Sequence, residues 1–251
     1  MSGTKAIILA AGKGERLGTI TRAIPKPMIE ITGKPLLLHN IELCRKHNIT
    51  DIYINVHHLH EKITRYFGDG QQFGVRITYS YEKELLGTSG AVRKIAADYW
   101  EDRLASGQHP TADQQKFLVV YGDNFSDYDI RRLEQTSDET GALAVVAFHY
   151  RQETSNSGVA EFDQNLRIAR FIEKPKPGES ASRWVNAGIY LFRPAILEYI
   201  PKGFSDFGRD IFPALLKAQI PIYGVCEEAE VRAFDTMEMY KESIGAISEN
   251  G

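Results

Sequence analysis

Short apolar runs alternate with amphipathic stretches over the first half of the chain. Runs rich in β-branched and aromatic residues predict strands at "AIILA", "DIYINV", "VRITYS" and "KFLVVY". Between them, "PLLLHNIELCRKHNI" places Leu37, Ile41 and Cys44 on one helical stripe, and further helices are predicted at "HEKITRYFG" and "SGAVRKIAADYW". Strands that alternate with helices favour parallel pairing through right-handed crossovers. The first half therefore predicts an α/β structure with a parallel sheet.

The pattern changes from about residue 141. Four strand-like runs follow with few helices between them, "GALAVVAFHY", "GVAEFD", "RIARFIEK" and "WVNAGIYLF". The last predicted helices are "DFGRDIFPALLKA" and "TMEMYKESIGAIS". The polar segment 98–116 is long for a link between a helix and a strand, so a lid, an interface element and a surface insertion all stay open. We expect both halves of the chain to share one continuous sheet.

Composition narrows the class of protein. The 251 residues carry a formal net charge of −3, which argues against a strongly basic nucleic-acid surface. No apolar run approaches the roughly 20 residues of a membrane span, and the start lacks the features of a signal peptide. Cys44 and Cys226 have no metal-like spacing, so neither a zinc site nor a disulfide framework is predicted. We expect a cytoplasmic protein with no nucleic-acid or membrane partner.

The stretch "AIILAAGKGERLG", residues 6–18, predicts a strand that ends in a phosphate-binding loop. Its glycines, Gly12, Gly14 and Gly18, do not match the dinucleotide-binding pattern G-x-G-x-x-G, because the third glycine comes one residue late. The Gly-Lys-Ser/Thr sequence that ends a Walker A loop is not present either. Small residues let the backbone approach a ligand closely, and successive N–H groups can hold phosphates. Arg16 adds a rigid fork of donors. The alternative is a tight turn with a solvated arginine.

The segment "PKPM" holds Lys26 between Pro25 and Pro27. Each proline fixes its own φ and restricts the residue before it, so this lysine is stiffly placed. A positioned cation shortly after a phosphate-binding loop favours a role in phosphate chemistry. The alternative is a turn with a solvated lysine.

Together, "LAAGKGERL" and "PKPM" resemble the signature of the sugar-1-phosphate nucleotidylyltransferases, also called nucleotide-sugar pyrophosphorylases. The resemblance continues through "INVHHLHEKI", "EKELLGTSGAV", "LVVYGDNF", "GVAEFDQNLRIARFIEKP" and "VNAGIYLF". It implies a Rossmann-like three-layer α/β/α fold with a mixed, mainly parallel central sheet and no β-helix domain. It also implies one domain over 1–251, with a nucleotide-binding half at about 1–140 and a sugar-binding, covering half at about 141–251.

The resemblance also implies the role of each site residue. Arg16 would grip the β- and γ-phosphates, Lys26 the α-phosphate, and Asp123 a Mg²⁺ cofactor. The nucleotide would be held by Leu9, Ala10, Ala11, Gly12, Gly14, Glu82, Gly87 and Thr88. The sugar phosphate would be held by Gly158, Glu173, Lys174 and Asn186.

The pattern departs from the family near the end of the chain. Relatives carry a second metal-binding Asp there, and in "AFDTMEMY" the aligned position is Ala233. Asp235 would take the metal after a small shift, or the metal would rest mainly on Asp123.

The reaction implied is transfer of a nucleoside monophosphate from a triphosphate to a sugar 1-phosphate. A sugar phosphate is already anionic at neutral pH, its second pKa being about 6, so neither a general base nor a protein nucleophile is required. The reaction instead needs two repelling anions held in line, with their charge neutralised.

The resemblance identifies the substrates less directly than it identifies the reaction. "EKELLGTSG" and "NVHHLHE" are most similar to the mannose-1-phosphate guanylyltransferase branch, and a carboxylate at Glu82 or Glu84 can accept two bonds from guanine. We therefore expect GTP and a mannose-type sugar (mannose or heptose) 1-phosphate. Within the family, UTP, dTTP or CTP with glucose- or hexosamine-type sugars stays open. Two other function classes also stay open, an NAD(P)-dependent oxidoreductase and a non-catalytic nucleotide-sugar sensor. A homo-oligomeric state stays open as well.

Overall fold

The computed structural model describes residues 3–100, 116–234, 237–238 and 240. The predicted insertion at 98–116 and the predicted last helix, "TMEMYKESIGAIS", therefore lie mostly outside the described residues. The strands are β1 (Lys5–Leu9), β2 (Glu30–Ile31), β3 (Lys34–Pro35), β4 (Asp51–Val56), β5 (Arg76–Tyr81), β6 (Phe117–Tyr121), β7 (Asn124–Ser126), β8 (Ala144–Tyr150), β9 (Gly158–Phe162), β10 (Ile168–Glu173), β11 (Trp184–Phe192), β12 (Ile222–Glu227) and β13 (Val231–Ala233). The α-helices are α1 (Thr19–Ala23), α2 (Leu36–Lys46), α3 (His60–Phe67), α4 (Gly87–Tyr99), α5 (Arg131–Thr140) and α6 (Phe212–Lys217).

A mixed, mainly parallel sheet forms the centre of the molecule, as predicted. Strands β5, β4, β1 and β6 lie side by side in parallel. Strand β11 then pairs antiparallel with β6, and it also pairs antiparallel with β8 and β9. Strand β12 closes one branch parallel to β8, and β10 closes the other antiparallel to β9. Strands from both halves of the chain thus share one sheet.

Both faces of this sheet are covered, which explains the continuous apolar runs of its strands. Side chains alternate along a strand, so Ile7 and Ile8 point to opposite faces. Ile8 belongs to the apolar cluster that contains Ile41 of α2, whereas Ile7 belongs to the one that contains Ile95 of α4 and Phe212 of α6. The result is the predicted three-layer α/β/α arrangement. None of the helices in the described ranges is both long and apolar enough to span a lipid bilayer.

The structure differs from the sequence prediction in the segment after β1 and at helix α5. The loop after β1 leads into a three-residue 3-10 helix at Glu15–Leu17 and then the short α1, because Gly14 and Gly18 adopt positive φ on either side of the 3-10 helix. A long helix with a strong dipole therefore does not follow the loop. Helix α5 was not predicted, since "RRLEQTSDET" is almost wholly polar and buries only Leu133 and Ser137.

Because β1 is buried on both faces, truncating a side chain on either face should lower the free energy of unfolding by a similar amount. Ile7 and Ile8 are both fully buried, so Ile7→Ala and Ile8→Ala should each lower the free energy of unfolding by about 2–5 kcal/mol in urea titrations. Ile24 is 41% exposed, and Ile24→Ala should change it by no more than about 0.5 kcal/mol. A near-neutral result for either β1 variant would show that its face of the sheet is not packed as described.

Candidate active site

Two pockets meet over the carboxyl ends of β1 and β6. The first pocket has a volume of about 260 Å³ and is lined from one end to the other by the loop after β1, Lys26, Glu82, Thr88 and Asp206. Seven of the eight residues predicted to hold the nucleotide line it, and the exception is Gly14. Arg16, predicted to grip the β- and γ-phosphates, lines the second pocket instead. Gly14 instead packs under Lys26, where an added Cβ would lie 3.1 Å from the lysine Cβ. The structure therefore gathers the predicted nucleotide residues, and their binding role stays a prediction.

The second pocket gathers the residues predicted to hold a sugar phosphate. Gly158, Glu173, Lys174 and Asn186 all line it. Arg16 lines the same pocket. The four residues come from β9, the end of β10 and β11, which the sheet order places together.

Asp123 lies between the two pockets and lines both of them. It follows β6 through Gly122, whose N–H donates to the Leu9 carbonyl at 2.9 Å. Any side chain at Gly122 would collide with that carbonyl, so a glycine is what lets the end of β6 reach the loop after β1. The Asp123 carboxylate thereby stands where ligands of the two pockets would touch.

Lys26 forms an ion pair with Asp123 across this junction. Its Nζ lies 2.6 Å from Asp123 Oδ2, and its side chain is only 4% exposed whereas that of Asp123 is 35% exposed. A buried ammonium group is costly without a partner, so the aspartate stabilises the lysine in place. Lys26 begins a short 3-10 helix after Pro25, and this local geometry aims it into the first pocket.

The far end of the first pocket is organised by Glu82 and Asn55. Asn55 Oδ1 accepts a hydrogen bond from the Ala10 N–H at 2.7 Å, and its Nδ2 donates to Glu82 Oε1 at 2.8 Å. Glu82 Oε2 accepts from the Leu86 N–H at 3.0 Å. Burial raises the pKa of Glu82, and the hydrogen bonds from Asn55 and Leu86 oppose that rise. Both oxygens of this 1% exposed residue are thus engaged within the protein, and contact with a nucleobase stays a prediction.

The first turn of α4 is fixed to the segment before α6. The Ser89 N–H donates to the Ser205 carbonyl at 3.0 Å, and the Thr88 N–H donates to Asp206 Oδ1 at 3.0 Å. Gly87 adopts a φ of +73°, and a side chain there would collide with the Ser205 carbonyl. The Gly90 N–H also donates to the Ser205 carbonyl, at 3.2 Å, so three N–H groups at this helix start are satisfied by protein atoms.

In the second pocket, close packing surrounds Glu173 and Lys174. A Cβ at Gly158 would lie 2.8 Å from Glu173 Oε2, so a glycine leaves room for this carboxylate. Burial raises the pKa of Glu173, and Lys174 and Arg209 oppose that rise. Lys174 adopts a φ of +54°, a conformation that non-glycine residues rarely hold outside constrained sites. Strain of this kind is common where a side chain must be aimed at a ligand.

Several residues at these pockets were missed by sequence reasoning. Asn55, Tyr121, His149, Arg151 and Asp206 all line one pocket or both. Asn55 had a usable signal, because it is a polar residue in an otherwise apolar strand run. Tyr121 and His149 sit within strand runs whose composition suits an ordinary core, and Asp206 reaches its pocket only through tertiary folding.

The charge of the two pockets bears on the predicted metal. The second pocket has three basic side chains, Arg16, Arg151 and Lys174, against two carboxylates, which suits an anionic ligand. The first has Lys26 against the carboxylates of Glu82, Asp123 and Asp206, so a triphosphate there would need further positive charge.

Asp123 offers carboxylate oxygen, the ligand type that Mg²⁺ prefers, and would hold the ion at this junction. Among the residues described, no three His, Cys, Asp or Glu side chains are grouped so as to hold a metal. Asp235, the other predicted ligand, lies outside the described residues.

Comparisons with known proteins agree on one family. The family model described as "Nucleotidyl transferase" matches residues 5–236. A UTP–glucose-1-phosphate uridylyltransferase from Synechocystis sp. is 40% identical over 88% of this chain. The catalytic subunit beta of mannose-1-phosphate guanylyltransferase from Drosophila melanogaster is 31% identical over 87%.

The chain spans just over half the length of these curated relatives, 57% of the first and 56% of the second. Among solved structures, a candidate glucose-1-phosphate thymidylyltransferase from Bacillus anthracis superposes with a TM-score of 0.82 at 25% identity. That match covers 97% of this chain and 95% of the other. It agrees with the α/β fold described above.

His149 gives the site a pH-dependent stability. Burial, with a smaller contribution from Arg151, lowers its pKa from 6.5 to about 4. The buried neutral imidazole therefore makes its full contribution to the free energy of unfolding above about pH 6.5. This contribution falls as the pH drops from 6.5 to 4 and is lost below 4, a change of about 3 kcal/mol at most.

His149→Gln should flatten the fall in unfolding free energy between pH 6.5 and 4, measured by urea titration. The exposed His58 supplies a control, since His58→Gln should keep the wild-type dependence. Equal pH profiles for His149→Gln and wild type would contradict this assignment.

Proposed function

The chain belongs to the nucleotidyl transferase family, and we propose that it transfers a nucleoside monophosphate from a nucleoside triphosphate to a sugar 1-phosphate, releasing pyrophosphate. One observation carries this proposal, namely that Asp123, paired with the buried Lys26, lies where the two pockets join. A triphosphate in the first pocket and a sugar phosphate in the second would place their reacting phosphates beside this pair. Proximity of this kind replaces an encounter in solution.

The proposed chemistry is a direct displacement. An oxygen of the sugar 1-phosphate forms a bond to the α-phosphorus, and the bond from that phosphorus to the bridging oxygen of pyrophosphate breaks. Because the attacking phosphate is already ionised, no proton has to be removed. Lys26 would neutralise the α-phosphate, and Lys174 would hold the sugar phosphate. Arg16 would hold the departing pyrophosphate.

Mg²⁺ belongs to this proposal as the cofactor, with Asp123 as its protein ligand among the described residues. When bound, it would supply positive charge that reduces the mutual repulsion of the phosphates. Lys26 would then keep Asp123 oriented by holding one carboxylate oxygen.

The expectation of GTP and a mannose-type sugar is not confirmed, because the relative at 40% identity is named for UTP and glucose 1-phosphate. We propose UTP and a glucose-type 1-phosphate as the substrates. The burial of Glu82 supports this choice, since the residue is 1% exposed and its two oxygens are turned toward Asn55 and the Leu86 N–H. GTP with mannose 1-phosphate is the second candidate, supported by relatives at about 30% identity.

Family membership and the short helix after the loop oppose an NAD(P)-dependent oxidoreductase. A non-catalytic sensor differs from the enzyme only in turnover. A cytoplasmic location, where both substrate types are at hand, is part of the proposal.

A matrix of substrates tests the function. Four nucleoside triphosphates are combined with glucose, mannose and glucosamine 1-phosphates in the presence of Mg²⁺, and pyrophosphate release is measured. We expect UTP with glucose 1-phosphate to give the highest kcat/KM. Faster turnover of GTP with mannose 1-phosphate would confirm the type of reaction and show that these two compounds are its substrates. No release from any pair would refute the enzyme and favour the sensor.

Asp123→Asn tests the junction. The asparagine oxygen can still accept from Lys26, but the buried ammonium loses its negative partner, so the variant should be less stable than wild type and still fold. The lost negative charge should lower kcat at least about 100-fold, measured at a temperature at which circular dichroism shows the variant to be folded. Asp127→Asn is the matched control, because Asp127 is exposed and lines neither pocket, and it should keep wild-type activity. A loss of less than fivefold in Asp123→Asn would remove this carboxylate from the reacting centre.

A further inference from the structure

His149 is a buried polar side chain in the wall of the second pocket. It is only 4% exposed, and it lines that pocket. It lies on β8 directly opposite Val185 of β11, which lines the same pocket. Residues that oppose each other across two paired strands project from the same face of the sheet. The small exposed part of the His149 ring therefore opens into the space where the sugar phosphate is proposed to bind.

The imidazole of His149 forms no hydrogen bond with any residue that the structure describes. Most buried polar groups in proteins are hydrogen-bonded, because an unmet donor or acceptor destabilises the folded state. Asn186, in the same pocket, follows this rule: its Nδ2 donates to the Tyr190 hydroxyl at 2.8 Å, and its Oδ1 accepts from the Gly188 N–H at 3.0 Å. The ring nitrogens of His149 are thus available to a ligand in the second pocket.

The chemistry of this ring suits a hydroxyl group better than a phosphate. Burial, with a smaller contribution from Arg151, lowers the pKa of His149 to about 4, so the ring is neutral at neutral pH. A neutral imidazole has one N–H donor and one acceptor nitrogen, and a hydroxyl group can likewise both donate and accept. A phosphate is bound more strongly by cationic donors, which Arg16, Arg151 and Lys174 supply in this pocket.

Glu173 also lines the second pocket, but its hydrogen-bonding capacity is different. Its carboxylate, when ionised, can only accept hydrogen bonds. Gly158 and Gly208 enclose this carboxylate, because an added Cβ at these positions would lie 2.8 Å and 2.6 Å from Glu173 Oε2. Glu173 ends β10, whereas His149 reaches the pocket from β8, so the two side chains can contact different hydroxyl groups of one sugar. His149 thus adds an uncharged donor from a second direction.

We propose that His149 binds one hydroxyl group of the sugar 1-phosphate and so contributes to the choice of sugar. This inference rests on the proposed function and deepens it, because it assigns a side chain that recognises the sugar rather than its phosphate. A sugar that lacks this hydroxyl leaves the buried imidazole without a partner. A pocket built to hydrogen-bond a hydroxyl group discriminates against such a sugar for that reason.

Substrates that each lack one hydroxyl group test this role. With saturating UTP and Mg²⁺, kcat/KM is measured from pyrophosphate release for glucose 1-phosphate and for its 2-, 3-, 4- and 6-deoxy analogues. In wild type, kcat/KM for at least one analogue should be at least about tenfold lower than for glucose 1-phosphate. In His149→Leu, one such penalty should shrink to within about twofold, because the enzyme no longer binds the missing hydroxyl, and the other three ratios should stay as in wild type. If the substrate matrix selects another pair, its triphosphate and the deoxy analogues of its sugar are used.

His47→Leu is the matched control. His47 is also a buried histidine, 6% exposed, and its Nε2 has no hydrogen-bond partner among the described residues, but it lines neither pocket. This variant should keep the wild-type ratio for every analogue, which separates a contact with the sugar from a change in packing. If His149→Leu fails to fold, His149→Phe takes its place with the same expected ratios.

The possible outcomes separate the two proposals. Pyrophosphate release by wild type, with all four ratios unchanged in His149→Leu, overturns the role of His149 and leaves the proposed function standing. The same conclusion follows if no analogue is penalised in wild type, or if His149→Leu changes all four ratios alike. Absence of release from every substrate pair refutes the proposed function, and the role of His149 falls with it.

Discussion

A lysine placed in a protein interior has to be neutralised, and the Lys26–Asp123 pair meets that requirement at the junction of two pockets. The lysine side chain is almost fully buried, so its position depends on a carboxylate within hydrogen-bond distance. That carboxylate belongs to the turn after β6, whereas the lysine belongs to the segment after α1. The pair therefore ties the glycine-rich loop region to the centre of the sheet.

Close backbone approaches complete the arrangement around this pair. Gly122 brings the end of β6 against the Leu9 carbonyl, and Gly87 brings α4 against the Ser205 carbonyl. Gly158 leaves the space in which the Glu173 carboxylate is held. Gly87 and Gly158 each line a pocket, so at these two points no side chain narrows the space for a ligand.

The sequence predicted some of this well and some of it poorly. The buried strands were predictable because a sheet covered on both faces requires continuous apolar runs, as in "AIILA" and "KFLVVY". The position of Asp123 at a strand end was also readable. The bonding of Glu82 was not, since its orientation depends on Asn55 from a neighbouring strand. Helix α5 was missed because only Leu133 and Ser137 face the core. The hydrogen bond of Thr88 to Asp206 was missed because it joins residues 118 positions apart.

In the proposed reaction the nucleotide and the sugar phosphate react directly at this junction, without a covalent nucleotidyl-enzyme. Exchange of labelled pyrophosphate into UTP tests this step. With direct transfer, no label should enter UTP when enzyme, Mg²⁺, UTP and pyrophosphate are incubated alone, and labelling should be rapid once UDP-glucose is added. Exchange in the absence of any sugar nucleotide or sugar phosphate would refute direct transfer, because it would require a nucleotidyl group held covalently by the protein.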